Sequence, residues 1–551
     1  MDVVRIMVLA YCIATVRAAQ VQEVLSVSPL VKLDHGNFLG SSDGITFSFL
    51  GIPFAKAPIG DRRFRVPVPD SPYTGTHVVT NFGPTCPQQR QKLQIPPELS
   101  LEGIDYLEHQ FMGVAGPESE DCLTLNVWVP AGLHLRRGSK LPVVVWIYGG
   151  GFQTGGTNSY DGGIIVRRSL LVEKPVIFVS MNYRVSAFGF LAGKEVRDAG
   201  VGNLGLHDQR LALHWVQKYA SAFGGDPDRV IIWGESAGAD SVALQILTNG
   251  GDTEGLFHGA FMQSGSPIPS GDITRGQKHY DNLVSHVGCA QSNDTLQCLR
   301  DAPYDKLKAA VDASPGIMSY QSLALAWLPR VDGVFLADTP QNLVLQGSVA
   351  KVPFVTGDCD DEGTAFALSS LNITNETQLR TYIKTFFLPR APESDIDELL
   401  ALYPDDTTKG SPFDTGALNA LTPQFKRIAA LLGDFVFQGP RRFLLQQTAD
   451  RQDAWSFLSK RFKIMPVLGS AHGTDMASMF GPGDLTDHLI YFAHNLDPNG
   501  PTVAFWPKYN TSAIQQLLLQ PPGYPPQEIM TDDYREKEMA FAIRMGLENP
   551  L

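Results

Sequence analysis

The sequence is most constrained by the pentapeptide Gly234-Glu235-Ser236-Ala237-Gly238, which separates a strand-like segment from a helix-like one. The preceding residues, Arg229 to Trp233, form the short apolar run typical of a buried parallel strand. The segment from Ala237 to Leu247 has the composition of a helix. A serine on a tight turn between strand and helix is held above the sheet, and its flanking glycines permit close backbone packing. The pattern therefore predicts Ser236 as a nucleophile.

A second Gly-x-Ser-x-Gly pattern surrounds Ser42, but its context is different. No apolar strand precedes it and no helix follows, because Ile45 to Ile52 continues as a strand-like run. This copy is predicted to be a turn between two strands. It belongs to a region, residues 20–85, whose short alternating patterns predict an antiparallel edge of the sheet.

A glycine run follows another predicted core strand, Leu141 to Tyr148. Gly149, Gly150 and Gly151 expose backbone N–H groups without side chains in the way, as an oxyanion hole requires. We expect Gly150 and Gly151, together with the N–H of Ala237, to form that hole. The alternative is a flexible glycine turn with no role in chemistry.

The first 18 residues have the pattern of a signal peptide, with Arg5 before an apolar stretch and Val16-Arg17-Ala18 at the cleavage site. The stretch is short for a membrane span, and no later run reaches about 18 apolar residues, so a secreted protein is expected. A retained amphiphilic anchor is the alternative.

No linker or repeat divides residues 19–551, which predicts a single domain with a large core. The net charge of -13 argues against nucleic acid and anionic membranes as partners.

Cysteine usage is consistent with secretion. Cleavage near Ala18 leaves five cysteines, an odd number, so that at most two disulfides form within the chain. Pairing sequence neighbours predicts the disulfides Cys86–Cys122 and Cys289–Cys298, with Cys359 as a free thiol. Four Asn-x-Ser/Thr sequons are candidate glycosylation sites; they are Asn293, Asn372, Asn375 and Asn510.

Longer strings of residues resemble the type-B carboxylesterase/lipase family. They are SEDCLTLNV (119–127), GGGF (149–152), NYRV (182–185), NLGLHDQR (203–210), AFGGDP (222–227) and GESAG (234–238). Two more, SPFDTG (411–416) and LTPQFKR (421–427), resemble the fungal branch typified by Candida rugosa lipase and sterol esterases. The resemblance spans about Leu50 to Trp506 and implies an α/β-hydrolase fold, with a mostly parallel central sheet flanked by helices.

A serine nucleophile needs a base, and the base needs a carboxylate that orients it. The strand-like segment Val352 to Thr356 ends in a loop with four carboxylates, and chemistry alone does not choose among them; they are Asp358, Asp360, Asp361 and Glu362. The resemblance implies Glu362, immediately before Gly363. The other three are then expected to be turn and surface groups.

Three histidines, His472, His488 and His494, follow that loop, in the order Ser, acid, His of this fold. His472 comes after Ile464 to Ser470, a predicted core strand, and it matches the family's base position. His488 is expected to be solvated. The resemblance thus implies a Ser236–His472–Glu362 triad that works through an acyl-enzyme, and neither metal nor cofactor is expected.

The loop between Cys86 and Cys122 contains a predicted amphipathic helix, with Ile104, Leu107 and Phe111 on one face. In the lipases that this sequence resembles, the corresponding disulfide-closed loop is a lid that opens at lipid surfaces. The alternative is a static surface helix whose apolar side is packed down.

Two small residues depart from the fungal lipases, which often have aromatic side chains there: Ala365, two residues after the glycine of the acid loop, and Ala471, before the candidate base. They predict a wider pocket for bulky esters such as steryl or aryl esters. The main expectation is a secreted lipase or steryl esterase that acts on long-chain esters, with a lipid–water interface as one setting. A carboxylesterase of short-chain or aromatic esters and a non-catalytic adhesion protein are the alternatives, and monomer and homodimer both stay open.

Overall fold

A computed structural model describes residues 28–93, 95–132, 140–481 and 483–551 of the chain. The predicted signal peptide, residues 1–18, lies outside these ranges. The described residues form one eleven-stranded sheet, in the order β14-β13-β12-β11-β10-β9-β7-β8-β6-β4-β3, and a three-stranded sheet, β1-β2-β5. The strands are β1 (Leu30–Leu33), β2 (His35–Leu39), β3 (Ser41–Ser42), β4 (Thr46–Pro53), β5 (Thr74–Val78), β6 (Thr124–Pro130), β7 (Leu141–Ile147), β8 (Ile177–Met181), β9 (Gly225–Glu235), β10 (Gly259–Gln263), β11 (Phe354–Cys359), β12 (Ala454–Ser459), β13 (Gln515–Leu519) and β14 (Gln527–Thr531).

The centre of the large sheet is parallel and its margins are antiparallel. Strands β8, β7, β9, β10, β11, β12 and β13 pair in parallel. Strands β6, β4 and β3 on one side and β14 on the other pair antiparallel. Every residue of β8, β10 and β11 is buried, and the sequences of β8 and β10 are accordingly apolar except for Ser180 and Gln263. The predicted mostly parallel sheet is confirmed.

The N-terminal region is only partly the predicted sheet edge. Strands β3 and β4 do form that edge, and Ser42 lies in their hairpin, as expected. Strands β1, β2 and β5 instead form the separate small sheet, in which β2 and β5 run parallel. Short alternating patterns indicate strands without indicating which sheet they join, so this division was not predictable from them.

Helices surround the large sheet. Helix α2 packs on β6 and β8, α6 on β9 and β10, and α16 on β7, β9 and α2. The helices are α1 (Leu101–Phe111), α2 (Gly162–Leu171), α3 (Ser186–Phe190), α4 (Lys194–Asp198), α5 (Leu204–Tyr219), α6 (Ala237–Leu247), α7 (Gln277–Val287), α8 (Thr295–Asp301), α9 (Tyr304–Asp312), α10 (Pro340–Leu345), α11 (Thr364–Ala367), α12 (Glu376–Phe386), α13 (Glu393–Leu402), α14 (Phe425–Gly433), α15 (Gly439–Thr448), α16 (Asp484–Asn495) and α17 (Glu536–Glu548). A π-helical turn, Asp434–Gln438, joins α14 to α15.

The structure contains both predicted disulfides, Cys86–Cys122 and Cys289–Cys298. Cys359 is a free, buried cysteine. Among the sequons, Asn293, Asn372 and Asn375 are exposed and Asn510 is half-buried. No helix in the described ranges is long and apolar enough to cross a membrane.

The candidate residues gather at one edge of the sheet. Ser236 follows β9, Glu362 follows β11, the glycine run follows β7 and His472 lies in the loop after β12. The carboxyl ends of parallel strands meet at one edge of an open α/β sheet, where ligands bind. One prediction here is wrong: Ile464 to Ser470 is a series of turns, and Ile464 is 81% exposed. The strand that leads to the histidine loop is β12 itself.

Candidate active site

Ser236 sits on a sharp turn between β9 and α6. Its φ and ψ angles are 56° and -130°, a left-handed conformation that side chains other than glycine rarely adopt. A β-carbon on Gly234 would overlap with the backbone of Gly238, and one on Gly238 would overlap with the carbonyl of Ile147. Both glycines are therefore required by close backbone contact, as the sequence predicted.

His472 is in hydrogen-bond contact with the serine. Its Nε2 atom lies 2.7 Å from the Oγ atom of Ser236. Two aromatic rings contact the imidazole, with ring centroids 5.1 Å away at Phe366 and 4.6 Å away at Phe437, and these two rings stack on each other. Phe437 belongs to the π-helical turn, a feature that is frequent at functional sites. The two rings fix the plane of the imidazole.

Glu362 completes a chain of hydrogen bonds. Its Oε2 atom lies 2.5 Å from Nδ1 of His472, and its Oε1 atom accepts a hydrogen bond of 2.6 Å from the backbone N–H of Cys359. The Glu362 side chain is fully buried. The structure thus brings together Ser236, His472 and Glu362, the three residues that the resemblance implied.

Asp361 is the residue that joins the acid loop to the histidine loop. Its backbone pairs with Ala471 as a parallel β-bridge, and its Oδ2 atom accepts a hydrogen bond from the N–H of Ser470 at 2.9 Å. Lys463 donates to both Asp361 oxygens, at 2.9 and 2.8 Å. Because Glu362 and His472 follow directly on these two anchored residues, the bridge sets the distance between acid and base.

The expectation that the other three loop carboxylates are turn and surface groups is wrong. Asp358, Asp360 and Asp361 are 0%, 3% and 0% exposed. Each is paired with a cation: Asp358 with Arg441, and Asp360 and Asp361 with Lys463. Buried carboxylates need such partners, and the partners lie 83 to 103 residues away, beyond any local pattern.

The glycine run after β7 lies against the nucleophile turn. A β-carbon on Gly149 would come within 2.8 Å of the Cβ atom of Ser236. Gly150 and Gly151 have φ angles of 103° and 60°, which favour glycine. Ala237 begins α6, where backbone N–H groups are free of intrahelical partners. Gly150 therefore follows a residue that lies against Ser236, and Ala237 follows Ser236 directly, while the oxyanion hole itself stays a prediction.

Burial controls the ionisation of the site. Burial lowers the pKa of His472 below its usual value, while the nearby Glu235 opposes that shift. Burial also raises the pKa of Glu235 to about 8, and its Oε1 atom lies 3.5 Å from Nε2 of His472. At neutral pH the histidine is therefore a neutral base and Glu235 a neutral acid.

Helix α1, within the disulfide-closed loop, covers the site. Tyr106 donates a hydrogen bond of 2.6 Å to the backbone carbonyl of His472, and Gln110 donates one of 3.2 Å to Oε1 of Glu235. The ring of Phe111 contacts that of Phe366 at 5.4 Å between centroids. Ser236 is consequently 8% exposed. The predicted apolar face packs inward, with Leu107 and Phe111 buried and Ile104 partly buried.

The two other histidines have structural contacts. His488 is fully buried, so the prediction that it is solvated is wrong. Its Nδ1 atom donates to the carbonyl of Pro498 at 2.7 Å, and its Nε2 atom accepts from Gln527 at 2.9 Å. His494 contacts the carbonyl of Pro175 at 3.1 Å. Neither is brought to Ser236.

Sequence reasoning missed several residues of the site. Glu235 lies inside the Gly-x-Ser-x-Gly motif, at a position where the motif specifies no residue type. Tyr106, Gln110 and Phe437 carry no local signal, because their contacts with His472 or Glu235 join distant parts of the chain. The small residues Ala365 and Ala471 are both fully buried beside the candidate acid and base. The described residues include no group of three or more His, Cys, Asp or Glu placed to hold a metal ion.

Comparison with known proteins agrees with this geometry. Residues 27–542 match the model of the carboxylesterase family. The chain is 44% identical over 503 residues to Lipase 4 of Diutina rugosa, covering 89% of this chain and 91% of that protein. It is 44% identical over 501 residues to Secreted lipase 1 of Botryotinia fuckeliana, covering 87% and 86%. The crystal structure of Aspergillus niger EstA superposes with a TM-score of 0.80 at 27% identity, covering 95% of this chain and 99% of that one. The chain therefore belongs to the type-B carboxylesterase family, in its fungal lipase branch, and is a carboxylic-ester hydrolase with the α/β-hydrolase fold.

Proposed function

We propose that the protein is a secreted lipase or steryl esterase that cleaves long-chain acyl esters through a Ser236 acyl-enzyme. The continuous chain of hydrogen bonds from Ser236 through His472 to Glu362 carries this proposal. That chain supplies a nucleophile, a base at hydrogen-bond distance and a carboxylate that fixes the base. The names of the two lipase relatives support the choice of substrate class.

In the proposed reaction, Ser236 Oγ attacks the ester carbonyl while Nε2 of His472 takes its proton. Glu362 holds the proton on Nδ1 and stabilises the imidazolium that forms. The N–H groups of Gly150, Gly151 and Ala237 stabilise the oxyanion of the tetrahedral intermediate. His472 then protonates the alcohol as it leaves. Water enters, gives its proton to His472 and releases the carboxylic acid, regenerating Ser236.

The position of helix α1 supports the proposal that the substrate lies at a lipid–water interface. In the conformation described here the helix contacts His472 and Glu235, and Ser236 is 8% exposed, so we expect the helix to move before a long-chain ester reaches the serine. The buried apolar side chains Leu107 and Phe111 would then face the solvent or a lipid phase. Exposing such side chains costs free energy in water and less at a lipid surface. A lid that opens at lipid is therefore favoured over a static helix.

The first test compares hydrolysis of p-nitrophenyl palmitate and p-nitrophenyl butyrate, with Ser236→Ala as the blank. The proposal predicts that palmitate is cleaved at least as efficiently as butyrate. Cleavage of butyrate alone would contradict it and favour the second reading, a carboxylesterase of short-chain or aromatic esters. Triglycerides and steryl esters would then separate the two long-chain classes.

A non-catalytic adhesion role is the remaining alternative. A serine-directed phosphonate should label the purified wild-type protein at Ser236 and leave Ser236→Ala unlabelled, as peptide mass spectrometry would detect. Absence of label on the wild type, with a positive control esterase labelled in parallel, would contradict the acyl-enzyme.

Secretion and processing belong to the same proposal. We expect cleavage near Ala18, a single domain over residues 19–551, and glycans on some of Asn293, Asn372, Asn375 and Asn510. N-terminal sequencing of the secreted protein should begin at Ala19, and enzymatic deglycosylation should lower its mass. Light scattering during size exclusion separates monomer from homodimer.

A further inference from the structure

A cleft that shares no lining residue with the triad is lined by basic side chains. It has a volume of about 420 Å³ and lies between α7, the segment 321–330 and the end of α12. Its basic residues come from three parts of the chain and, among the described lining residues, no Asp or Glu accompanies them; they are Arg275, Lys278, His279, Arg330 and Arg390. This is a local reversal of sign in a protein whose net charge is -13.

Arg330 is the buried centre of the cluster. It is 6% exposed, and its backbone N–H and carbonyl are held by the side chain of Asn203 at 2.9 and 2.8 Å. Its Nη1 atom donates to the carbonyl of Leu551 at 3.2 Å. Its Nε–H, however, has no hydrogen-bond partner within the described part of the chain. A buried, unsatisfied donor on a charged group is costly unless a ligand or water accepts from it.

The positive charge of the cluster comes from its arginines and Lys278, because burial lowers the pKa of His279 to about 4 and leaves that side chain neutral at pH 7. Burial lowers the pKa of Arg330 to about 10, with a further contribution from Arg275. Burial likewise lowers the pKa of Arg275, and Arg390 adds to that shift. Asp272 is the acid that acts on Arg275 and Arg330, and its carboxylate already accepts two hydrogen bonds from Thr274. Mutual repulsion of guanidinium groups is relieved when an anion binds among them.

Part of the remaining wall of the cleft is apolar, beside the polar side chains of Gln321 and Thr385. Leu325, Leu328 and Phe387 are 7%, 2% and 8% exposed and line it beside the arginines. A small inorganic anion would use the guanidinium groups and leave these walls in contact with water. An anion with a hydrocarbon chain would use both.

We propose that this cleft binds an amphiphilic anion, namely the carboxylate of a fatty acid. The carboxylate accepts hydrogen bonds from Arg330 and its cationic neighbours, and the first part of the chain packs on the leucine and phenylalanine walls. The identification of the ligand as reaction product rests on the proposed function, whereas the binding site itself does not. A product bound there would occupy a surface separate from the triad.

The test is isothermal titration of decanoate into protein in which a long-chain phosphonate blocks Ser236, so that the acyl site is occupied. Ser236→Ala serves as a second background. We expect one decanoate per chain, and at least tenfold weaker binding by Arg390→Glu, which changes an exposed residue. The matched control is Arg451→Glu, also exposed and hydrogen-bonded to Gln447 at its own helix end. Arg330→Gln should abolish binding, with its thermal unfolding measured alongside.

Any of the following results would overturn the proposal: no decanoate binding outside the acyl site, equal binding by Arg390→Glu and Arg451→Glu, or inorganic phosphate binding as tightly as decanoate. Decanol binding as tightly as decanoate would overturn it as well, because the arginines would then have no role. These measurements do not depend on turnover. If long-chain hydrolysis fails, decanoate binding can still be measured on Ser236→Ala. If decanoate binding fails, the esterase assay is unaffected, so the two failures are distinguishable.

Discussion

Single residues in this site are constrained by close contacts more than by their own chemistry. Ser236 adopts a backbone conformation that costs on the order of 1–3 kcal/mol, and its glycine neighbours allow the surrounding backbone to hold it there. The same holds for Gly149, whose missing side chain lets the glycine run after β7 lie against the serine. Substitutions at this scale therefore test geometry directly.

Gly151→Ala should reduce kcat by about a hundredfold to a thousandfold, the usual effect of losing an oxyanion donor. The added methyl group would lie 2.7 Å from Cδ1 of Ile317, and the φ angle of 60° disfavours alanine. Gly75→Ala is the matched control, because Gly75 has a φ angle of 77° and open space around the new methyl. Equal loss of kcat in both variants would assign the effect to backbone strain alone.

Glu235→Gln should change the pH profile at its alkaline end. With a pKa of about 8, Glu235 is protonated at neutral pH, so glutamine is a close substitute there. Above about pH 8 the wild-type carboxylate ionises beside His472 and stabilises the imidazolium of the transition state. We expect similar kcat/KM values for both proteins at pH 6–7 and a wild-type advantage above pH 8. A constant ratio across this range would contradict the assignment.

In both proteins the acidic limb of the pH profile of kcat/KM should lie below pH 6.5, because burial lowers the pKa of the base, His472.

At the scale of elements, helix α1 is joined to the candidate site by two hydrogen bonds, from Tyr106 to His472 and from Gln110 to Glu235. Closure of the loop is therefore coupled to the triad through polar contacts as well as through its apolar face. The disulfide Cys86–Cys122 closes the loop that carries the helix. Any opening must break both hydrogen bonds while this closure stays in place.

Tyr106→Phe and Gln110→Ala should each make the open form more populated, by about two- to tenfold, since a hydrogen bond contributes roughly 0.5–1.5 kcal/mol. The expected observation is faster phosphonate labelling of Ser236 in solutions without lipid. Glu108→Ala, on the exposed face of the same helix, is the control. Unchanged labelling rates in the first two variants would show that the contacts do not hold the helix down.

The sequence predicted local elements well and long-range contacts poorly. The strand–turn–helix around Ser236, strands β7 and β11, and the inward face of α1 follow from short-range patterns, and the structure has them. The run Ile464 to Ser470 was misread because its apolar residues include Pro466 and Gly469, which suit turns as well. The contact between Tyr106 and His472 joins residues 366 apart, so no periodicity could indicate it. The choice of Glu362 needed the family resemblance.

At the scale of the whole molecule, a buried ion network joins the far side of the sheet to its helices. Arg441 on α15 contacts Asp358 at the end of β11 and Asp532 just after β14. Arg442 contacts Asp532 too, at 2.7 Å. Buried networks of this kind are strongly destabilised when one partner is removed.

Asp532→Asn should lower the free energy of unfolding by about 3–5 kcal/mol at pH 7, because it leaves two guanidinium groups without their shared carboxylate. Although burial opposes ionisation, Arg441 and Arg442 hold the pKa of Asp532 below 3.8. Its contribution is therefore present above about pH 4 and is lost as the pH falls through the lowered pKa. Denaturant unfolding of the two proteins should differ at pH 5–7 and converge in stronger acid. Asp533→Asn, on the exposed neighbour, should match the wild type throughout.

The buried position of Cys359 affects how the enzyme loses its activity on heating. Its thiol is fully buried, and burial raises its pKa, so it scarcely forms the thiolate that exchanges with disulfides. In the folded protein the Cys359 thiol therefore does not exchange with the disulfides. Heating unfolds the chain and exposes the thiol, which can then attack either disulfide before the chain refolds. Inactivation then becomes irreversible, and the working lifetime is set by the rate of unfolding rather than by equilibrium stability.

Cys359→Ser should recover more activity on cooling than the wild type, and non-reducing gels of the heated wild type should show mispaired species that the variant lacks.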